Sequence, residues 1–173
     1  MSLKELTSQQ HRAAEQTRFM QALIKKELPV EVWTNFIYQK WIIYKLIEGL
    51  GGAYCGLNKV PEIFRAFLLY QDFKELAPED RFELTPTTDA YYQYLLNLGN
   101  QPERIWAHIY VWHMGDLYGG QMIKRLVPGS SAALEFENKD QLILFIRTHC
   151  TTDMADEAKL AFEYAIKIMN ELF

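Results

Sequence analysis

Apolar residues recur every three or four positions along most of this chain, which is the spacing of helices buried along one face. In the first segment this pattern follows Ser2 and Glu5, which form a capping box. The paired alternating runs and tight turns that are typical of β-hairpins do not occur. The pattern predicts an all-α helical bundle of about seven helices, over residues 3–26, 30–50, 61–72, 89–98, 102–126, 139–149 and 152–172.

Proline, glycine and threonine residues are predicted to set the ends of these helices. Pro61 fits the first turn of the third helix, and Thr87 or Thr88 is predicted to cap the fourth. Residues 78–85 are polar and are predicted to form a connection. Because no repeat or linker divides the chain, we expect a single domain over residues 1–173. The interrupting residues are Pro29, Gly49, Gly51, Gly52, Gly99 and the pair Pro128-Gly129.

The composition provides ample material for a core and for lining an apolar pocket. Of the 173 residues, 49% are hydrophobic and 14% are aromatic, and the net charge of −4 gives no reason to expect nucleic acid. Basic residues concentrate in the first segment, where they fit an acidic ligand or partner and equally an ordinary solvated helix face. These residues are Lys4, Arg12, Arg18, Lys25 and Lys26.

The cysteines and the apolar runs indicate a soluble, cytoplasmic protein. Cys55 and Cys150 are too few and too widely separated for a metal cluster or a disulfide framework, so a reduced pair is expected. Charged residues interrupt the N-terminal apolar stretch, which excludes a signal peptide, and no run reaches the ~20 apolar residues of a membrane span. We therefore expect no membrane association.

An unusual glycine-rich motif, Gly-Asp-Leu-Tyr-Gly-Gly-Gln, occupies residues 115–121 inside the long fifth helix. Its three glycines would together cost a helix about 2–3 kcal/mol relative to alanine. They let the helix bend and let its backbone approach a flat group closely, although tight packing against another helix is an alternative explanation. Asp116 is a candidate for orienting water or a proton, or is simply a solvated acid.

His11 is the candidate metal ligand. It lies on an amphipathic helix, and Glu15 follows one turn later on the same face. Imidazole is a good iron ligand, and a ligating histidine usually donates its other ring N–H to a neighbouring acceptor. The residues alone leave an ordinary surface or core histidine as the alternative.

Several segments together resemble the haem oxygenase family, in the family's order and over nearly the whole chain. The glycine motif, which resembles the distal helix of that family, is the most specific of them. The others are His-Arg-Ala-Ala-Glu at 11–15 followed by Phe19-Met20, Trp-Ile-Ile-Tyr at 41–44 with Glu48, Ala-His-Ile-Tyr at 107–110, and Glu-Ala-Lys-Leu-Ala-Phe at 157–162.

The resemblance implies that haem lies between the first helix and a glycine-kinked distal helix. His11 would be the proximal iron ligand, with Glu15 close behind it. Gly115, Gly119 and Gly120 would let the distal helix pass close over the haem face and bend as the ligand enters.

The remaining implied roles concern protons and the haem edge. Asp116 would hold the water network that supplies protons during oxygen activation, and Tyr44 would contribute to it. Tyr110 would lie near a haem edge, Lys4 and Arg147 would pair with the propionates, and Phe162 would form pocket wall. Ordinary core tyrosines and solvated basic residues are the alternatives. His108, His113 and His149 are interpreted as structural.

The implied reaction uses haem as both substrate and cofactor and O2 as co-substrate. Its products would be biliverdin, with the α isomer as the family's usual choice, CO and ferrous iron. Electrons would come from a ferredoxin or a flavin reductase, for which the basic residues of the first helix form a natural dock.

Some positions depart from the family pattern. Tyr118 stands where a small serine is usual, so it could narrow the distal cavity, point away from it or add a hydrogen-bonding group. His113 stands where an aromatic is common, and the connections at 128–136 and 150–156 look short. Two rival functions therefore remain: a haem carrier or sensor without turnover, and a thiaminase-like helical enzyme, for which neither cysteine has a suitable setting.

Overall fold

The computed structural model describes residues 1–79 and 82–173, and within these ranges the chain forms nine α-helices, short 3-10 turns and no β-strand. The predicted all-α fold is confirmed. The helix number exceeds the expected seven mainly because the first predicted helix is divided into three. The helices are α1 (Leu3–Leu6), α2 (Ser8–Glu15), α3 (Arg18–Ile24), α4 (Val30–Tyr54), α5 (Ala66–Leu76), α6 (Pro86–Leu98), α7 (Pro102–Lys124), α8 (Lys139–His149) and α9 (Ala155–Leu172).

Two threonines interrupt the predicted first helix. The Thr7 hydroxyl donates to the Leu3 carbonyl at 2.9 Å, and the Thr7 backbone leaves the helical conformation. At the second break the Thr17 hydroxyl accepts the Met20 amide at 3.2 Å and caps α3. The capping box is confirmed at the start of α1. As a result α2 is a short, separate helix, and it carries His11.

The glycines that were expected to end the second helix lie inside α4 instead, and that prediction is wrong. A Cβ on Gly51 would collide with the Leu57 side chain, so glycine is needed where the chain folds back on the helix. The helix ends at Tyr54 with Cys55 as its C-cap, and Gly56 makes the turn with a φ of +72°.

Helix α5 begins later than predicted. Pro61 opens a separate 3-10 turn, Pro61–Ile63, rather than the helix itself. The buried carboxylate of Glu48 then accepts the amide groups of Arg65 at 2.6 Å and Ala66 at 3.0 Å, so the free amides at the start of α5 point at a fixed negative charge.

Helix α6 begins at a different cap from the one predicted. The Thr85 hydroxyl accepts the Thr88 amide at 3.0 Å, which makes Thr85 the N-cap in place of Thr87 or Thr88. The helix stops at Gly99 as predicted, with a φ of +53°. Of the connection predicted over 78–85, residues 80 and 81 lie outside the described residues.

The last three helices agree with their predicted ranges. Helix α8 has the predicted bounds, and α7 ends at Lys124, two residues before the predicted end. Gly129 closes the following turn with a φ of +83°. The final predicted helix begins with a 3-10 turn, Thr152–Met154, and continues as α9.

Helices α4 and α7 form the centre of the molecule. They pack against each other and against α9, while α5 and α6 cover α4 and α8 covers α7. A second, smaller apolar cluster joins Leu3 of α1, Val111 of α7 and Phe162 of α9. No helix in the described ranges combines the length and apolarity needed to cross a bilayer.

Candidate functional site

His11 stands on the outer side of α2 with its imidazole accessible. Its side chain is 59% exposed, and Nδ1 lies 3.5 Å from Oε1 of Glu15, the residue one turn later. The ring meets Phe162 of α9 edge to face, with 6.0 Å between centroids. The carboxylate and the phenyl ring therefore border the imidazole on two sides, and Nε2 is the nitrogen that a metal could reach.

One side of α7 is open at the glycine motif. No atom lies within 4 Å of a Cβ built on Gly115, and only Ile123 Cδ1, at 3.8 Å, approaches one built on Gly119. Tyr118 and Met122 share this side and are 53% and 52% exposed. Gly115, Tyr118, Gly119 and Met122 follow helical spacing and form what we call the open stripe. A flat apolar group could lie directly against its backbone.

Gly120 lies off the open stripe and has a packing role. A Cβ there would lie 3.1 Å from the Leu134 carbonyl oxygen and 3.5 Å from Leu134 Cβ. The 3-10 turn Ala132–Leu134 thus comes close to α7 because position 120 has no side chain. Tight packing was the alternative explanation for the glycine motif, and it applies to Gly120. Gly115 and Gly119, in contrast, leave the backbone of α7 uncovered.

Helix α9 holds the two sides of the candidate site together. Helices α2 and α7 both pack on α9, and in the described part of the chain α2 and α7 are not among the closely packed helix pairs. Tyr110 of α7 is half-buried against the apolar cluster that contains Phe162. Burial raises the pKa of Tyr110, while the neighbouring Thr7 hydroxyl opposes the shift. His11, Phe162 and Tyr110 therefore lie in one region.

Asp116 is buried beside the open stripe and is held by two donors from α4. Its Oδ1 accepts from Lys40 Nζ at 2.5 Å, and its Oδ2 accepts from the Tyr44 hydroxyl at 2.6 Å. Tyr44 is fully buried, and burial together with the Asp116 charge raises the pKa of its hydroxyl well above the ordinary value. Asp116 is an oriented acceptor rather than a solvated acid.

Lys40 was missed by the sequence reasoning. Its residue exposure is 7%, and its ammonium lies 5.2 Å from the Tyr44 ring centroid. A lysine in a strongly apolar helix, one turn before Tyr44, was the available signal, since lysine is almost never buried without a partner.

His113 forms part of a second buried polar group next to Tyr44. Its Nε2 lies 3.1 Å from Glu48 Oε1, and its ring centroid lies 4.6 Å from that of Tyr44. Glu48 also accepts the amides at the start of α5. The histidine thereby links α7 to α4 and α5, in agreement with its structural interpretation.

Tyr118 stands on the open stripe, and its side chain contacts Arg147. Its hydroxyl accepts a hydrogen bond from Nη2 of Arg147 on α8, and the guanidinium carbon lies 5.7 Å from the centroid of the tyrosine ring. Arg147 is exposed, as is Lys4 on α1. Tyr118 thus brings a hydrogen-bonding group and a cation to the edge of the open face.

A third polar cluster lies away from these residues. The buried His108 ring contacts the Tyr91 hydroxyl at 2.6 Å through Nδ1 and Glu157 Oε1 at 2.8 Å through Nε2. Burial alone would raise the pKa of Glu157, but hydrogen bonds from His108, Tyr94 and Arg104 lower it to about 2. Burial lowers the pKa of His108. His108 is structural as interpreted, and His149 stacks on the exposed side of α8 against Trp106 at 4.4 Å.

This chain is similar in sequence to heme oxygenases. A family model described as heme oxygenase matches residues 1–147. Heme oxygenase 2 of Mus musculus is 26% identical over 98% of this chain and 64% of its own length. Heme oxygenase 1 of Bos taurus is 29% identical over 99% of this chain and 70% of its own length. This chain therefore spans less than two thirds of the mouse relative.

Solved structures of similar fold bear the same description. Heme oxygenase-1 from the cyanobacterium Synechocystis, solved in complex with heme, has a TM-score of 0.88 at 22% identity, covering 98% of this chain and 90% of its own. The heme oxygenase of Leptospira interrogans has a TM-score of 0.87 at 24% identity, covering 99% and 100% of the two chains. At these identities the likeness establishes the fold.

Proposed function

Since this chain belongs to the haem oxygenase family, we propose that it uses O2 and a reductant to cleave haem to biliverdin, CO and ferrous iron, with the α isomer as product. The observation that carries the proposal is the position of the exposed His11 imidazole relative to the open stripe. His11 lies on α2 and the open stripe lies on α7, and both helices pack on α9. Haem supplies the iron at which O2 is activated, and it is also the substrate. Residues 1–173 would form one domain, because helices from the whole length contribute to the core.

The residues fit haem on both of its faces. On the proximal side His11 offers a neutral nitrogen ligand, and Glu15 stands 3.5 Å from Nδ1 to orient the ring. On the distal side Gly115 and Gly119 present backbone without Cβ atoms, so that α7 can cover a planar macrocycle at close range. Gly120 would contribute indirectly, by holding the Leu134 turn against α7.

Basic and aromatic side chains would hold the edge of the haem. The propionates require cations at the mouth of the slot, and Arg147 and Lys4 are exposed candidates from α8 and α1. Tyr110 and Phe162 would line the proximal half of the slot, where both already pack against one apolar cluster. In this arrangement the porphyrin is buried while its carboxylates remain near water.

Asp116 and Tyr44 would order the water that supplies protons on the distal side. Each carboxylate oxygen of Asp116 accepts one hydrogen bond in this structure and retains further acceptor capacity. We assign to Asp116 the role of ordering water next to the open stripe, with Tyr44 fixing its Oδ2. Because the carboxylate is buried, its orientation does not depend on solvent.

The electron donor would be a ferredoxin or a flavin reductase. Lys25 and Lys26 follow α3 on the surface and, with the basic residues before them, offer a positive region for an acidic donor. We also propose that the protein acts in the cytoplasm, where its two unpaired cysteines, Cys55 and Cys150, remain reduced.

A haem carrier or sensor is the second candidate, and the position of Tyr118 favours it. The phenol stands on the same stripe as Gly115 and Gly119, where it can restrict the approach of O2. Such a protein would bind haem with the same ligand and would release no biliverdin.

A hemin titration followed by turnover separates the two candidates. Hemin is added to the protein until the Soret band saturates, and ferredoxin, its reductase and NADPH are then supplied under air. We expect a 1:1 Soret band that gives way to the broad band of biliverdin. A persistent Soret band in the wild type, with biliverdin formed only after Tyr118→Ser, would establish the carrier; absence of any Soret band would refute both candidates.

A further inference from the structure

The ion pair between Lys40 and Asp116 is unusual because both charged groups are buried. The two side chains are 8% and 7% exposed, and Nζ lies 2.5 Å from Oδ1. They join α4 to α7 across 76 residues of sequence. Removing either charge from such a pair leaves the other charge without compensation in a medium of low polarity.

Other charged and titratable groups nearby do not replace Lys40. Tyr44 donates to the second oxygen of Asp116 but carries no charge, since burial raises its pKa well above the ordinary value. Glu48, one turn further along α4, adds negative charge to the region. Arg65 is the remaining nearby cation, and its guanidinium donates to the backbone carbonyls of Glu62, Phe64 and Glu135. Lys40 is therefore the cation that directly contacts Asp116.

We propose that Lys40 is a positioning residue of the reaction: its buried ammonium pairs with the Asp116 carboxylate and holds it in one orientation beside the open stripe. The inference rests on the proposed function, because it assigns to Lys40 control of the group that orders water there. Asp116 can accept hydrogen bonds from water at all its free lone pairs only as a carboxylate. Without the ammonium, a buried carboxyl group takes up a proton and becomes a donor at one oxygen.

If Lys40 had a purely structural role, its charge would not matter for the reaction. Variants that differ in charge at position 40 therefore distinguish a structural role from a positioning role. Lys40→Gln removes the charge but keeps an amide donor, whereas Lys40→Arg keeps the charge. Lys45→Gln is the matched control, because Lys45 lies on the same helix with its side chain on the surface. Each variant is first purified without hemin and its thermal unfolding recorded.

The first readout is the infrared spectrum of the hemin-free protein. We expect Lys40→Gln to show the C=O stretch of a protonated carboxyl group, which is absent from the wild type and disappears again in Lys40→Gln/Asp116→Asn. The second readout is the rate of biliverdin formation. Lys40→Gln should bind hemin as the wild type does and form biliverdin about 10- to 100-fold more slowly.

Rescue by charge completes the test. Lys40→Arg should recover most of the biliverdin yield and lack the carboxyl band. A Lys40→Gln variant with wild-type turnover and no carboxyl band would overturn the proposal. If Lys40→Gln does not fold, Lys40→Arg decides: a folded arginine variant that binds hemin but forms no biliverdin also overturns it.

The outcomes also separate this inference from the proposed function. If the wild type binds hemin and forms no biliverdin, the function fails, while the carboxyl band still shows whether the charge of Lys40 acts on Asp116. If the wild type forms biliverdin and the Lys40→Gln variant does so equally well, the function stands and the role of Lys40 is refuted.

Discussion

Substituting alanine for Gly115 is expected to stabilise the hemin-free protein and weaken hemin binding at the same time. A Cβ at this position meets no atom within 4 Å, so the new methyl group costs nothing in the hemin-free fold. Alanine in place of glycine inside a helix stabilises by about 0.5–1 kcal/mol. For a chain of this length that corresponds to a rise in Tm of about 1–4 °C.

Gly115→Ala should weaken hemin binding, although it stabilises the hemin-free fold. If the haem plane lies against the backbone at Gly115, a methyl group pushes it away from α7 and removes close contacts along that edge. A loss of about 1.4 kcal/mol would raise the Kd about tenfold. Gly119→Ala should behave in the same way, since only Ile123 Cδ1 approaches its Cβ position in the hemin-free protein.

Gly120→Ala is the matched control within the same motif. Its Cβ would lie 3.1 Å from the Leu134 carbonyl oxygen, a backbone atom that cannot turn aside. Overpacking typically costs about 1–3 kcal/mol, which outweighs the gain in helix propensity. We therefore expect this variant to be less stable than the wild type, by up to about 2.5 kcal/mol.

Urea unfolding of the hemin-free variants and Soret titration with hemin measure the two effects separately. The reasoning would be refuted if Gly115→Ala raised stability as expected and bound hemin as tightly as the wild type. In that case the open stripe of α7 would not be the surface that haem covers, whatever the chain does with haem elsewhere.

Three further predictions concern the ligand, acid stability and the electron donor. His11→Ala should leave thermal unfolding almost unchanged, because the ring is 59% exposed, but should abolish the histidine-ligated hemin spectrum until imidazole is added. The folded-state pKa values of His108 and Glu157 are both lowered. The contribution of Glu157 to stability is therefore present above pH 4.5 and is lost as the pH falls toward 2, and that of His108 is present above pH 6.5 and decreases as the pH falls below it; Glu157→Gln should flatten the dependence of the urea midpoint on pH below 4.5. Charge reversal at Lys25 and Lys26 should slow turnover at low salt and matter less at high salt, whereas salt-independent turnover in both proteins would exclude this docking surface.

Local signals in the sequence were sufficient for most helix positions. The capping box at Ser2 and the bounds of α8 follow from residues a few positions apart, and both are confirmed. Gly51 was misread because its reason is a contact with Leu57 rather than a helix end. The sequence does not distinguish a glycine that ends a helix from a glycine that allows another side chain to pack closely against the helix.

In the candidate site, too, residues with a local signal were predicted, and residues whose role depends on packing were missed. The histidine and the glycine motif were visible as types of residue at suggestive spacing, and the resemblance joined them. Lys40 was not found, since its partner is 76 residues away and only the packing of α4 on α7 brings the two together. Likewise the separate roles of Gly115 and Gly120 depend on which side of α7 faces the Leu134 turn.

The contact between His11 and Phe162 has a consequence for the order of events in the cell. The imidazole belongs to the second helix and the phenyl ring to the ninth, and α2 packs on α9. During synthesis at about 5–20 residues per second, roughly 8–30 s pass between the appearance of the histidine and that of the phenylalanine. A nascent chain that meets haem early therefore offers only a loose histidine, and the proposed haem site would first be complete after α9 has docked.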